Sequence, residues 1–132
     1  MAGLDPVQLT QSLIRCPSVT PAEAGALDLL ERTLRGIGFR CWRLPFQAPD
    51  SAAVDNLYAR WGEGQGPAFA FAGHSDVVPV GDAGGWSGDP FGGEIRNGQL
   101  FGRGAADMKA AIACFIAAAE RFLARRGAGF PG

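Results

Sequence analysis

The stretch that decides the fold is Pro67-Ala-Phe-Ala-Phe-Ala-Gly-His-Ser-Asp76. Its short apolar run, Ala68 to Ala72, is bounded by Pro67 and Gly73, which predicts a strand buried on both faces of a sheet. Just past that run stands His74, the only histidine in the chain, at the kind of strand end where ligand sites of α/β sheets gather. In extended backbone, residues i and i+2 share a face, so the Asp76 carboxylate can reach back toward a ring nitrogen of His74. A carboxylate there fixes the tautomer and strengthens the imidazole as a metal ligand. The plainer alternative is a hydrogen-bonded histidine in a polar loop.

Upstream, Asp5-Pro6 places a capping acceptor before a proline at the first helical position, and Leu9 and Leu13 follow four apart, predicting a helix to about Arg15. Pro17-Ser-Val-Thr-Pro21 breaks it. Thr20-x-x-Glu23 reads as a capping box with Pro21 opening a second helix, whose apolar face is Leu27, Leu30, Leu34 and Ile37 and whose end is marked by Gly36 and Gly38. Two strand-like segments follow, Phe39 to Leu44 and Asn56 to Trp61, each with partial alternation.

Downstream, Ser75 to Gly93 has no sustained period and reads as a long loop of the kind that carries function. Asn97-Gly98 between Glu94-Ile-Arg96 and Gln99-Leu-Phe101 is a strong hairpin signal. Gly102-Arg-Gly-Ala-Ala-Asp-Met-Lys109 is a glycine-containing turn that presents Asp107 at the start of a last helix, from about Met108 to Arg126. Asp107 alone could be an ordinary helix cap. As a phosphate cradle the turn is weak, because the G-x-x-x-x-G-K-[ST] order is absent. The resulting order, two helices, three strands, a hairpin and a helix, is the front of an α/β domain whose last helix would feed another strand. The 132 residues are therefore expected to be the incomplete opening part, 1–132, of a larger catalytic domain.

Composition narrows the chemistry. Twelve basic against thirteen acidic residues give a net charge of −1, which argues against nucleic acid or an anionic membrane as partner. The first residues lack a basic and apolar leader, and the longest apolar run, Ala110 to Ala119, is far below the ~18 residues needed to span a bilayer, so a soluble cytoplasmic protein is expected. Cys16, Cys41 and Cys114 are odd in number and widely spaced; they read as buried thiols rather than a disulfide or zinc framework. A cysteine nucleophile has no histidine near it in sequence, and Ser75, adjacent to His74 on extended backbone, points to the opposite face.

Together, Phe71-Ala-Gly-His-Ser-Asp-Val-Val-Pro79, Gly81-Asp82, Trp86, Asp89-Pro-Phe91, Asn97-Gly98 and Leu100-Phe-Gly-Arg-Gly-Ala-Ala-Asp-Met-Lys109 resemble the co-catalytic zinc deacylases and peptidases, a family that includes acetylornithine deacetylase and aminoacylase. Ile14-Arg-Cys-Pro-Ser-Val-Thr-Pro21 and Ala24 to Leu30 are similar to the N-terminal region of that family. Phe101 stands where a tyrosine is common and Ala110 where a glycine is usual, both conservative departures.

The resemblance implies the N-terminal portion of a zinc-peptidase-like, mixed-sheet catalytic domain flanked by helices. It makes His74 a ligand of one metal, Asp107 the carboxylate bridging two, and Asp76 the catalytic acid that orients His74. It implies two divalent metal ions, zinc with cobalt as the alternative, a small N-acyl amino-acid substrate, and a homodimer for the complete enzyme. The family's glutamate pair, a further acidic ligand, a distal histidine and an inserted dimerisation domain are expected beyond Gly132. One histidine and one bridging aspartate cannot complete two zinc shells of about four ligands each. A product of another class, a regulatory or binding module without catalysis, therefore stays open.

Overall fold

The computed structural model describes residues 3–64 and 66–127. The first helix, α1 (Pro6–Ile14), starts as the sequence predicts: the Asp5 carboxylate accepts from the Val7 amide at 2.8 Å and Pro6 occupies the first turn. The second, α2 (Ala26–Gly36), begins five residues later than the capping box suggests. Glu23 does cap it, its carboxylate accepting from Leu27 N at 3.0 Å and its carbonyl from Ala26 N at 2.9 Å. Thr20 does not, because residues 18–20 run beside 75–77, with Val77 N donating to Ser18 O at 2.9 Å and Thr20 N to Val77 O at 3.2 Å. Tertiary pairing has overridden a local helix signal.

The strand pair β1 (Arg40–Arg43) and β2 (Leu57–Arg60) is antiparallel, with Cys41 opposite Ala59 and Trp42 opposite Tyr58. Arg43 ties it to its surroundings through Asp55 at 2.6 Å and Asp28 of α2 at 2.7 Å. The hairpin β3 (Glu94–Arg96) and β4 (Gln99–Phe101) forms around Asn97 and Gly98, both at positive φ, the backbone a tight two-residue turn needs. Between the pairs, 75–93 is the predicted loop, interrupted by the bridge of Val77 to Val19 and by a single turn at Ala83–Gly85 that Asp82 caps.

The last helix, α3 (Ala110–Arg126), lays Ile112, Ala113, Ile116 and Ala117 against the core. Leu9 and Leu13 of α1, Leu27, Leu30 and Leu34 of α2, and Cys41 of β1 complete that core. The helix opens two residues later than predicted, after an irregular turn at Ala105–Lys109 in which Asp107 and Met108 are not helical. The α/β class stands, in the form of helices with two separate two-stranded sheets.

Two expectations are corrected. Ala68–Ala72 is not a strand buried on both faces: it has no ladder partner among the described residues and lies exposed, with Phe69 84% accessible. Without a neighbour on either edge, its apolar side chains lean on α3 instead, Phe71 stacking on Phe115 with ring centroids 4.4 Å apart. The cysteines are not uniformly buried either; Cys41 is buried and Cys16 half-buried, but Cys114 is exposed, being on the helix face opposite Ile112 and Ile116. Burial pushes the Cys16 and Cys41 thiols above their ordinary value, which makes poor nucleophiles of them. Among the described residues no helix is long and apolar enough to cross a membrane.

Candidate active site

Two arms meet at His74. The first is the extended segment 74–77, held against residues 18–20 by the paired backbone and by the fully buried Ser18, whose hydroxyl donates to Ser75 O at 2.7 Å. The second is the turn 105–109 carrying Asp107. Lys109, with no exposed surface, anchors that turn: its ammonium donates to Leu13 O at 2.7 Å and Cys16 O at 2.8 Å. Those carbonyls lie at the C-terminal end of α1, where a cation is favoured by the helix dipole. Burial still pulls the Lys109 amine below its ordinary 10.5.

Gly104 lets the arms close on each other. Its φ is +81°, and a Cβ there would come within 2.6 Å of Val77 Cγ1, so both the backbone conformation and the close approach call for glycine. His74 Nε2 then lies 3.0 Å from Asp107 Oδ1. On the other side of the ring, Nδ1 lies 3.0 Å from the Asp76 carbonyl oxygen and 3.5 Å from its carboxylate. The sequence foresaw Asp76 as the partner; the main-chain oxygen is the nearer contact.

A carbonyl can only accept, so Nδ1 carries a hydrogen, and a short contact from Nε2 to a carboxylate makes Nε2 the second N–H donor. Both contacts favour the protonated form of the ring. The backbone bond to Asp76 is the largest cause holding its pKa above 6.5; burial opposes it, and the Asp107 carboxylate adds to the rise. Asp107 is not the helix cap its position suggested: it is non-helical, and its carboxylate is spent on His74.

Around this contact lies a cavity of about 180 Å³ lined by Thr20, His74, Asp76, Val77, Val78, Arg103 and Asp107. Arg103 holds its rim, donating to Pro79 O at 3.3 Å and Val80 O at 3.4 Å with its guanidinium over Trp86. Another hollow, about 230 Å³, is lined by Asp28, Glu31, Arg32 and Arg35, whose Asp28, Glu31 and Arg35 are engaged in surface ion pairs. The cavity at His74 is where imidazole and carboxylate converge. Nitrogen and carboxylate oxygen are suitable donors for zinc, and with Nδ1 committed to Asp76, loss of the Nε2 proton frees a lone pair beside Asp107. Among the described residues, however, no group of three or more His, Cys, Asp or Glu could hold a metal ion.

Of the residues singled out in the sequence, the structure places Asp76 and Asp107 on opposite sides of the His74 ring. Sequence reasoning missed Thr20, whose sequence context signals a helix cap, and Lys109, which nothing separates from a solvated lysine near a helix start.

Residues 70–128 match the family described as Peptidase family M20/M25/M40, and His74, Asp76 and Asp107 all fall inside that match. The fold agrees: human carnosine dipeptidase 1 superposes with a TM-score of 0.76 at 26% identity, over 91% of this chain and 28% of that one. At finer grain, the chain is 63% identical over 123 residues to a succinyl-diaminopimelate desuccinylase of Rhodospirillum centenum, covering 93% of this chain and 32% of that protein. It is 61% identical over 119 residues to the protein of the same name in Rhodospirillum rubrum, covering 90% of this chain and 30% of that one. The chain spans about a third of the length of these curated relatives.

Proposed function

We propose that residues 1–132 form the N-terminal part of a metal-dependent amide hydrolase that cleaves N-succinyl-LL-2,6-diaminopimelate to succinate and LL-2,6-diaminopimelate, a step of lysine biosynthesis, in the cytoplasm and as a homodimer. The observation that carries the reading is the 3.0 Å approach of His74 Nε2 to Asp107 Oδ1 from two separately anchored arms. The identity of 63% to a desuccinylase supports the choice of substrate.

His74 would hold one cation through Nε2, Asp107 would share its carboxylate between two, and Asp76 would orient the His74 ring from the far side. When bound, two divalent ions, zinc with cobalt as the alternative, supply Lewis-acid polarisation of the amide and charge stabilisation in the transition state. This chain's own contribution is positioning. The arms fix the donor atoms before substrate arrives, so little reorganisation remains at the moment of reaction. The 132-residue polypeptide by itself is expected to be inactive, since its described residues lack the ligands to complete either shell.

The test is a full-length hybrid in which this chain replaces the matching third of the Rhodospirillum centenum relative. The hybrid should hydrolyse N-succinyl-LL-diaminopimelate in a zinc-dependent manner, at a rate within about tenfold of that relative, and should prefer it to N-acetylornithine, because buried donors for a second carboxylate are left unpaired by an acetyl group. A folded, metal-loaded hybrid without activity would refute the function. Faster turnover of N-acetylornithine would refute the substrate alone.

A further inference from the structure

Thr20 makes a contact that its sequence context does not foretell. Its hydroxyl donates to Asp76 Oδ2 at 2.5 Å across 56 residues of sequence. The delivery is built: Val77 N to Ser18 O, Thr20 N to Val77 O and Ser18 Oγ to Ser75 O lock the backbone of 18–20 alongside 75–77. Ser18 is fully buried beneath that pairing while Thr20 faces the cavity shared with His74 and Asp107. The Asp76 carboxylate is consequently divided between two tasks, Oδ2 held by Thr20 and Oδ1 turned toward His74 Nδ1 at 3.5 Å.

We propose that Thr20 is a positioning residue for Asp76, setting the carboxylate rotamer that faces the His74 ring; this rests on the reading that His74 and Asp76 belong to an amide-hydrolase site. The Asp76 side chain is 48% exposed, so packing alone does not fix it, and water would compete for both oxygens if the hydroxyl were removed. A hydrogen bond from a neutral hydroxyl to a carboxylate is charge-assisted and directional, which suits it to selecting one rotamer. Valine keeps the shape of threonine and loses the donor; serine keeps the donor and loses a methyl group.

The experiment uses the zinc-loaded hybrid described above. Thr20→Val should lower kcat by roughly 10-fold or more, as loss of a group that orients a metal-site residue does, with KM, zinc content and Tm close to the parent. Thr20→Ser should restore most of the rate. Crystal structures of parent and Thr20→Val hybrids give a readout independent of turnover: the Asp76 carboxylate should rotate away from His74 in the valine variant. An unmoved Asp76 rotamer, a parental kcat, or a loss that serine does not rescue would overturn the proposal. An inactive parent hybrid would defeat the functional reading instead, while the rotamer comparison would still decide the role of Thr20.

Discussion

The two arms that meet at His74 are anchored in different ways. The Asp107 turn is held from beneath by a fully buried ammonium on two helix-terminal carbonyls, and the helix that follows it enters the core at once. The His74 arm is held chiefly by hydrogen bonds to residues 18–20, with His74 N also donating to Met108 Sδ at 3.4 Å, and is approached through an apolar run that lies open, with Phe69 and Phe71 exposed. One arm depends on burial and the other on a hydrogen-bonded strap. Residues 13–20 are common to both, receiving Lys109 at one end and pairing with 75–77 at the other, so this short segment sets the spacing between the arms.

The comparison is broken most severely by removing the side chains that meet. In the hybrid, His74→Ala and Asp107→Ala should lose metal and essentially all activity together, whereas Asp76→Ala should cost about 10–100-fold in activity with a weaker effect on metal content. Metal analysis alongside kcat/KM separates the cases, and full occupancy in His74→Ala would remove it from the ligand set.

Lys109→Met probes the buried anchor. It removes the ammonium from the Leu13 and Cys16 carbonyls, which keep the Cys16 and Ser18 amides as donors, so each loses one charge-assisted hydrogen bond, worth about 1.5–3 kcal/mol, rather than being left unsatisfied. It also relieves the desolvation of a buried cation, so the net loss should be about 1–3 kcal/mol in urea denaturation rather than twice that. The same variant should weaken metal binding, since Asp107 sits on the freed turn. Unchanged stability would show that the arm is held by other contacts.

The smallest effect is on pH dependence. In the metal-free protein the folded pKa of His74 is raised above 6.5, so its partners bind the protonated ring more tightly than the neutral one. That stabilisation is fully present below about pH 6.5 and is lost as pH rises through the folded value. Relative to His74→Gln, the parent should therefore lose stability across that window, with no such difference on the acid side. An opposite slope would contradict the raised pKa of His74.

What was legible in the sequence was what local chemistry dictates. Asp5-Pro6 opens α1 and Asn97-Gly98 closes the hairpin because caps and tight turns are decided within a few residues. His74 and Asp76 are neighbours through extended-backbone periodicity, and the pairing with Asp107 came through family resemblance. The misreadings share a cause. Thr20 satisfies a capping pattern but is claimed by Asp76, and Lys109 follows a helix-start pattern but is claimed by α1. The run 68–72 has the pattern of a central strand but lacks flanking partners among the described residues. In each case a partner distant in sequence decides, and single-sequence patterns carry no information about it.

The central claim, that His74 and Asp107 converge in order to share a metal site, is tested most directly by anomalous diffraction at the zinc edge from crystals of the zinc-loaded hybrid. Zinc should lie within about 2.0–2.2 Å of His74 Nε2 and of an Asp107 carboxylate oxygen, with Nδ1 still bonded to the Asp76 carbonyl. Full zinc occupancy elsewhere, with His74 and Asp107 still hydrogen-bonded to each other, would contradict it.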